Sequence, residues 1–433
     1  MDSLIKKLEQ KSAKIGIIGM GYVGLPLALE FCKVGFDVTG IDLDKKKIDS
    51  INNGKSYIED ATDADVGSAV RQGRLHATTD FSVLQQLDTV SICVPTPLRK
   101  TKDPDISYII SATKEIKKYL HPGQLIVLES TTYPGTTDEI ILPELESSGL
   151  KVGVDFFLAF SPERIDPVNK LFNTKNTPKI IGGVTLNCTE SARALYSQAV
   201  DKIITVGSTR AAEMVKLLEN TFRAVNIGLV NEIAIICNKL GMDVWEIIDA
   251  AATKPFGFMP FYPGPGLGGH CIPVDPLYLS WKLKMFNYNA RFIELASEVN
   301  TNMPYFVVTK VFDALNAHRK SINGSNILIL GAAYKKDVGD VRESPALDVI
   351  RLLKDKGGVI SYNDPYIPLL HEDNMDLRSI DLSDYSALNN YDCTVIVTDH
   401  SSYDYKKVVE CSNIVVDTRN ATKGIVSDKI VRL

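Results

Sequence analysis

The first apolar run, KIGII at 14–18, is a short β-branched stretch that stops at Gly-Met-Gly-Tyr-Val-Gly. From Gly24 to about residue 34 the apolar positions recur at helical spacing, and Gly35 closes the segment. A second strand, Asp37–Ile41, leads to Asp42, and DTVSICV at 88–94, QLIVLES at 124–130 and FFLAF at 156–160 continue the series with helix-like segments between them. Strands alternating with helices predict a parallel sheet with crossovers on both faces. The pattern then changes. Thr209–Leu240 carries apolar residues at helical spacing with no proline, predicting one long helix or two abutting ones, with Gly241 as C-cap. Further helix is expected at 243–252 and 290–318, with a Pro/Gly-rich loop at 255–268 between them. The last third returns to the first pattern: a strand in NILILGAAY (326–334), a helix at 344–356, and a strand VISYND (359–364) ending in acid. YDCTVIVTDH at 391–400 echoes LDTVSICVPT at 87–96, aspartate on aspartate and apolar on apolar. The expected fold is α/β, with two Rossmann-like doubly wound domains (1–208 and 321–433) joined by a central helical domain at 209–320. Two such domains flanking a helix make a cleft, a common place for an active site.

Composition adds mostly exclusions. The chain has 433 residues, 45% apolar and 23% charged, with 48 basic against 53 acidic residues and a net charge of -5. That balance argues against disorder and against a nucleic-acid or membrane partner. Seven scattered cysteines without a CxxC pair read as reduced thiols, and six histidines without a pair at ligand spacing give no metal site. The first residues lack an apolar signal core and no run approaches the ~18 apolar residues of a span, so a cytoplasmic location is expected.

The candidate cofactor site is Gly19-Met20-Gly21-Tyr22-Val23-Gly24, placed between a strand and a helix and followed by Asp42 at the end of the next strand. Gly19 permits the turn, Gly21 lets a pyrophosphate approach the backbone, and Gly24 lets the helix pack on the strand. Asp42 suits the two hydroxyls of an adenosine ribose and repels a 2′-phosphate, favouring NAD over NADP; no flavin signature accompanies it.

Three further segments carry candidate chemistry. Cys271 sits in YPGPGLGGHCIPVDP (262–276), a span too rich in glycine and proline for regular helix. On local sequence it reads equally as a nucleophile or as a buried structural thiol. Lys216 and Asn220 share one helix face, about 6 Å apart, and suit an oxyanion, although a solvated face is the commoner meaning of such a pair. Glu163 and Arg164, in SPERIDP at 161–167, follow a strand and read as a base or as a surface ion pair.

In this order, GMGYVG, VPTP (94–97), STTYPGTT (130–137), SPER, EMVKLLEN, PGPGLGGHCIPVDP and AYKKDVGDVRESPA (333–346) resemble the UDP-glucose/GDP-mannose dehydrogenase family, from about residue 13 to the C-terminus. The resemblance implies a four-electron oxidation of a sugar C6 alcohol with two NAD per turnover, through a thiohemiacetal and then a thioester on Cys271. It implies that Lys216 and Asn220 stabilise negative charge on the substrate oxygen and that Asp275 partners a water. Glu163 and Thr131 would serve thioester hydrolysis. Lys47, Pro95, Thr96, Ser130, Thr131 and Arg342 would join the glycine turn and Asp42 around NAD. Arg164, Tyr262, Gly264, Gly266, Gly268 and Lys335 would contact the UDP-sugar with Glu163, Lys216 and Asn220. The last domain would hold the nucleotide, and the long helix a homodimer contact.

His270 before the cysteine is similar to members acting on N-acetylated UDP-hexosamines, which makes UDP-N-acetylglucosamine the expected substrate, with UDP-glucose and the mannosamine and galactosamine analogues as alternatives. The chain departs from UDP-glucose members in having Lys254 as the nearest cation before the glycine loop, and RIDP after Glu163. Two other classes fit the architecture: a two-electron hydroxyacid-type dehydrogenase and a non-catalytic NAD sensor.

Overall fold

The structure, a computed structural model, describes residues 1–58, 60–99, 103–165, 171–269, 271–372 and 375–433. His270 and the last two residues of SPERIDP therefore lie outside the described residues. The chain forms two compact units, Met1–Glu219 with Leu277–Asn287, and Asn220–Pro276 with Tyr288–Leu433.

The first unit is built on β1 (Lys14–Ile18), β2 (Asp37–Ile41), β3 (Leu75–Thr78), β4 (Thr89–Ile92), β5 (Leu125–Leu128), β6 (Phe157–Phe160), β7 (Lys179–Gly183) and β8 (Ile203–Thr205). They pair in the order β3-β2-β1-β4-β5-β6-β7-β8. Strands β4, β5 and β6 are buried along their whole length, which explains their unbroken apolar runs. The order reverses between β1 and β4, the switch point where open α/β sheets bind ligands. One departure from the expected parallel sheet is β7, which runs antiparallel to β6.

The second unit holds β9 (Asn326–Leu330), β10 (Val359–Asn363), the antiparallel pair of β11 (Leu369–Glu372) and β12 (Met375–Arg378), β13 (Cys393–Ile396), β14 (Val415–Asp417) and β15 (Ile430–Arg432). Its main sheet is parallel, ordered β10-β9-β13-β14-β15, and again reverses beside its first strand. Val307, Val311 and Leu315 of helix Arg291–Ala317 and Val349 and Leu353 of helix Pro345–Asp355 pack with Ile327 and Ile329 of β9 to form the core.

Thr209–Leu240 is a single 32-residue helix. Gly241 ends it at φ +69°, with the Met242 N–H donating to the Cys237 carbonyl at 2.9 Å. Its buried positions (Thr209, Ala212, Glu213, Lys216, Leu217, Asn220, Ala224, Gly228, Val230, Asn231, Ala234, Cys237) follow helical spacing.

The echo between the thirds of the chain has a physical basis. Asp88 accepts the Lys14 N–H at the start of β1 at 2.9 Å, and Asp392 accepts the Asn326 N–H at the start of β9 at 2.8 Å. Gly19 (φ +93°) and Gly331 (φ +83°) make the same turn, and a Cβ on either would lie 2.5 Å from the carbonyl oxygen of Cys93 or Thr398 respectively. Gly331→Ala meets both a positive φ and a backbone clash and is expected to cost about 2–3 kcal/mol. Gly424→Ala, at φ +84° with nothing within 4 Å, meets only the first and should cost about 1 kcal/mol. Urea unfolding of the two variants measures the difference.

Candidate active site

In the first unit the glycine turn meets the steric demands read from sequence at Gly19 and Gly24. A Cβ on Gly24 would sit 2.0 Å from the Gly19 carbonyl oxygen, so helix Gly24–Lys33 can pack on β1 only without one. On Gly21 a Cβ would meet nothing within 4 Å, so the chain's own packing does not demand that glycine; an approaching pyrophosphate would. Asp42 accepts the Met20 N–H at 2.9 Å and faces the Lys47 ammonium at 3.3 Å. Burial holds the Tyr57 hydroxyl, bonded to the Met20 carbonyl, far above the usual phenol range, with help from Asp42 and Asp44. Tyr22 is half exposed and Val23 half-buried.

Thr96 is buried, with its carbonyl accepting the Tyr278 hydroxyl at 2.5 Å, while Pro95 is exposed. Ser130 donates to the Val94 carbonyl at 2.7 Å, which ties the ends of β4 and β5 together, and Thr131 beside it is half-buried. The turn that follows is fastened to the long helix by Glu213, whose carboxylate accepts from the Gly135 N–H (2.6 Å), the Thr137 N–H (2.9 Å) and the Thr137 hydroxyl (2.7 Å). Burial pushes this carboxyl up to about 7 in spite of those three donors.

One turn further along, Lys216 is buried and donates to the Glu163 carbonyl at 2.5 Å, so it is not on a solvated face. The Glu163 carboxylate accepts the backbone N–H groups of Arg164 and Ile165, both at 2.7 Å. Arg164 pairs with Glu219 at 2.6 Å and donates to the Pro178 carbonyl. Beneath this loop lies a buried ion pair, Lys179–Glu129 at 2.7 Å, with the Tyr196 hydroxyl also on Glu129. Burial works against the Lys179 charge, but Glu129 and Glu163 outweigh it and hold its pKa above the ordinary lysine value.

The second unit carries Cys271, the one exposed cysteine; five of the other six are buried and Cys411 is half-buried. Exposure removes the alternative of a buried structural thiol. The Cys271 carbonyl accepts the N–H groups of Val274 (3.2 Å) and Asp275 (2.8 Å), which winds the chain into helix Asp275–Lys284. Asp275 is buried, and the Asn220 amide donates to its carboxylate at 2.5 Å. The glycine loop before Cys271 is held from outside. Asn231 accepts the Gly264 N–H at 2.9 Å and donates to Asn300 at 2.8 Å, and Asn300 donates to the Ala224 carbonyl at 3.1 Å. A Cβ on Gly264 would lie 2.7 Å from the Arg419 guanidinium, one on Gly266 (φ +139°) 3.3 Å from the Asn300 carbonyl oxygen, and one on Gly268 2.7 Å from Tyr334. Burial lowers the pKa of Arg419, which donates to the Val397 carbonyl at 2.9 Å. Tyr262 stacks on Trp245 and donates to Asp249 at 2.9 Å. Lys335 is half-buried; Arg342 is exposed and paired with Asp340 at 2.6 Å.

The structure thus groups Lys216 with Glu163 in one unit, and Cys271 with Asn220 and Asp275 in the other. Sequence reasoning missed Glu213, Asn231, Asn300 and Arg419. For Asn231 a signal existed: it follows Asn220 by eleven residues, about three helical turns, on the buried face that also carries Glu213 and Lys216. Among the described residues no His/Cys/Asp/Glu group could hold a metal, and no helix is long and apolar enough to cross a membrane.

Comparison with known proteins extends this geometry. The NAD-binding domain of the UDP-glucose/GDP-mannose dehydrogenase family matches residues 13–200, its central domain 210–302 and its UDP-binding domain 328–424. The chain belongs to this family. It is an NAD-dependent nucleotide-sugar dehydrogenase with NAD as its cofactor. It is 36% identical over 420 residues to a UDP-N-acetyl-D-mannosamine dehydrogenase of Methanococcus maripaludis, covering 94% of this chain and 92% of that protein. It is 35% identical to a UDP-N-acetyl-D-glucosamine 6-dehydrogenase of Pseudomonas aeruginosa, covering 91% and 92%. The solved structure of a UDP-D-ManNAc dehydrogenase from Pyrococcus horikoshii superposes with a TM-score of 0.88 at 34% identity, covering 97% and 98%.

The raised Glu213 carboxyl makes a signed prediction. A folded pKa above the unfolded one favours the protonated form, so the stability tied to this group is full below the ordinary glutamate pKa and is lost as pH rises through about 7. The loss should amount to roughly 3 kcal/mol. Glu213→Gln abolishes that slope while opposing an amide donor to the Gly135 N–H, so it should lie below wild type at pH 5 and close much of the gap by pH 8. Urea unfolding at the two pH values, followed by the fluorescence of Trp281 against Tyr133, reads the outcome.

Proposed function

We propose that this dehydrogenase oxidises the C6 hydroxymethyl of a UDP-N-acetylhexosamine, UDP-N-acetylglucosamine first among them, to the uronic acid through a covalent intermediate on Cys271. The observation that carries the reading is the exposed thiol at the head of a helix, with Asn220 and Asp275 joined beside it. A helix N-terminus stabilises a thiolate, and a thiol has no task in a two-electron oxidation or in a sensor. NAD, when bound, takes up the hydride at each of two oxidations.

In this scheme Lys216 and Asn220 hold the substrate oxygen as its proton leaves, with Asp275 taking the proton through a water. The Cys271 sulfur adds to the aldehyde, giving a thiohemiacetal whose oxidation leaves a thioester. Water attacks the acyl carbon with Glu163 and Thr131 as helpers, and the C–S bond breaks to return the thiolate. Gly264, Gly266 and Gly268 give the sugar-phosphate close access to backbone, while Lys335, Arg164 and Tyr262 bind the nucleotide sugar. Arg419, absent from the sequence-derived set, adds a cation behind Gly264. Arg342, Lys47, Pro95, Thr96 and Ser130 serve the cofactor. The domain assignment follows the same scheme: 1–208 for NAD, 209–320 for the cysteine loop and dimer contact, 321–433 for UDP. Exposed apolar residues along the long helix, Leu218 at 58% and Leu229 at 54%, support a homodimer there. A cytoplasmic site of action fits the reduced thiols.

UDP-N-acetylmannosamine is the second reading, favoured by the relatives at 36% and 34% identity. A panel of UDP-sugars, followed by NADH absorbance and product mass, decides between them. Two NADH per sugar and a gain of about 14 mass units on one N-acetylhexosamine is the expected outcome. Cys271→Ser should retain NAD binding and yield no uronate. Near-normal turnover of Cys271→Ala with one NADH per substrate would replace this scheme with a two-electron dehydrogenase.

A further inference from the structure

His400, at the end of the strand region of β13, is fully buried and takes no part in the chemistry above. Its Nδ1 accepts the Asp337 N–H at 3.0 Å. A backbone N–H only donates, so Nδ1 carries no proton, and the neutral ring's proton sits on Nε2, donated to Asp364 at 3.0 Å. Asp364 also accepts the N–H groups of Ala332 (2.7 Å), Ala333 (2.9 Å), Tyr366 (2.8 Å) and Ile367 (3.1 Å). Burial pushes the Asp364 carboxyl up, but His400 and these amides outweigh it and hold it below the usual carboxylate range. The imidazole therefore spans from a fixed carboxylate to the middle of the segment 333–343.

That segment touches the cysteine loop. The Gly269 N–H donates to the Arg342 carbonyl at 3.0 Å, and a Cβ on Gly268 would lie 3.0 Å from the Glu343 carbonyl oxygen and 2.7 Å from Tyr334. Asp337 (φ +57°) and Glu343 (φ +51°) both hold left-handed backbone, so the segment's shape depends on outside partners. We propose that His400 is a positioning residue of the nucleotide-sugar site: through the Asp337 N–H it fixes the segment that carries Lys335 and braces Gly268 and Gly269 beside Cys271. The assignment of Lys335 to substrate rests on the function proposed above; the bonds from His400 to the glycine loop do not.

The ring is held on its other sides as well: the Asp337 carboxylate lies 3.8 Å from Nδ1, the rings of Tyr366 and Tyr403 pack against it, and the Tyr405 hydroxyl donates to the His400 carbonyl. The Asp337 carboxylate accepts the Ser401 N–H at 2.7 Å and hydroxyl at 2.6 Å, so main chain and side chain of Asp337 are both tied to this strand end.

The test is calorimetric titration of UDP and of NAD into the full-length wild type, His400→Phe and His400→Gln. Phenylalanine keeps the packing and loses both bonds; glutamine keeps one donor and one acceptor. UDP should bind His400→Phe about tenfold more weakly, or worse, with NAD affinity unchanged. His400→Gln should restore part of that binding, a rescue that packing alone would not give. If His400→Phe fails to bind NAD, the comparison of His400→Gln with His400→Met, which has no donor and only a weak acceptor, decides. UDP binding by the variants equal to wild type would overturn the proposal. A wild type that binds no UDP would overturn the proposed function instead.

Discussion

A loop of glycine and proline cannot hold its own shape, and the placement of Cys271 rests on what holds it. Regular structure satisfies backbone polar groups internally; residues 262–269 cannot, because proline lacks the donor and glycine has too many conformations to lose. The bond from Gly264 N–H to the buried Asn231 amide is the anchor, and Asn231 is itself fixed by Asn300 and through it by the Ala224 carbonyl. Pro304, buried inside helix Arg291–Ala317, removes the N–H that would otherwise occupy the Asn300 carbonyl, and that same carbonyl lies where a Gly266 side chain would be. Two helices thus present side-chain amide and main-chain carbonyl to one loop. Gly228 lets them approach: a Cβ there would come within 3.1 Å of Ala296. A site set on packed helices keeps its geometry better than one set on loops alone.

The two doubly wound sheets obey one set of backbone constraints and use them differently. In each, a glycine turn follows the first strand and an aspartate ends the second, accepting N–H groups from that turn: Asp42 from Met20, Asp364 from Ala332 and Ala333. Asp42 is left with carboxylate capacity, facing only Lys47 and two backbone amides. Asp364 is saturated by His400 and four amides, and GAAYKK replaces the glycine fingerprint. The second sheet shares the architecture of the first, with its own histidine on the carboxylate that corresponds to Asp42. This is a physical reason for the division of labour between an NAD-binding and a UDP-binding domain.

Much of this was legible in the sequence wherever a single segment carries both the cause and the effect. The glycine turn, the extent of the long helix, its Gly241 terminator and both sheets follow from local periodicity and sterics, and the Asp88/Asp392 echo marks a shared strand-start contact. Polarity misled where burial decides. Lys216 and Asn220 look like a solvated face, but their helix positions turn inward, and only the partners far along the chain, Glu163 and Asp275, show it. Asn231, Arg419 and His400 act through contacts with residues 33, 155 and 63 positions away, at Gly264, Gly264 and Asp337, and for Arg419 and His400 nothing in their own neighbourhood announces them. The antiparallel β7 was hidden because strand direction depends on the connection, and the strand's own composition does not record it.

The buried polar groups also share a location, which explains why so costly a set is retained. Glu129 ends β5, Asp364 ends β10 and His400 follows β13, all at carboxyl ends of parallel strands. There the ladder of hydrogen bonds stops, helices begin, and backbone amides need acceptors that neighbouring strands no longer provide. Apolar residues would pack these positions at less desolvation cost, but without Asp364 the Ala332 and Ala333 N–H groups of the Gly331 turn lose their acceptor, and without Glu129 the buried Lys179 and Tyr196 lose theirs. The same strand ends are where an open sheet admits ligands. The groups that the chain buries to finish its sheets thus stand at the sheet ends where ligands enter folds of this kind.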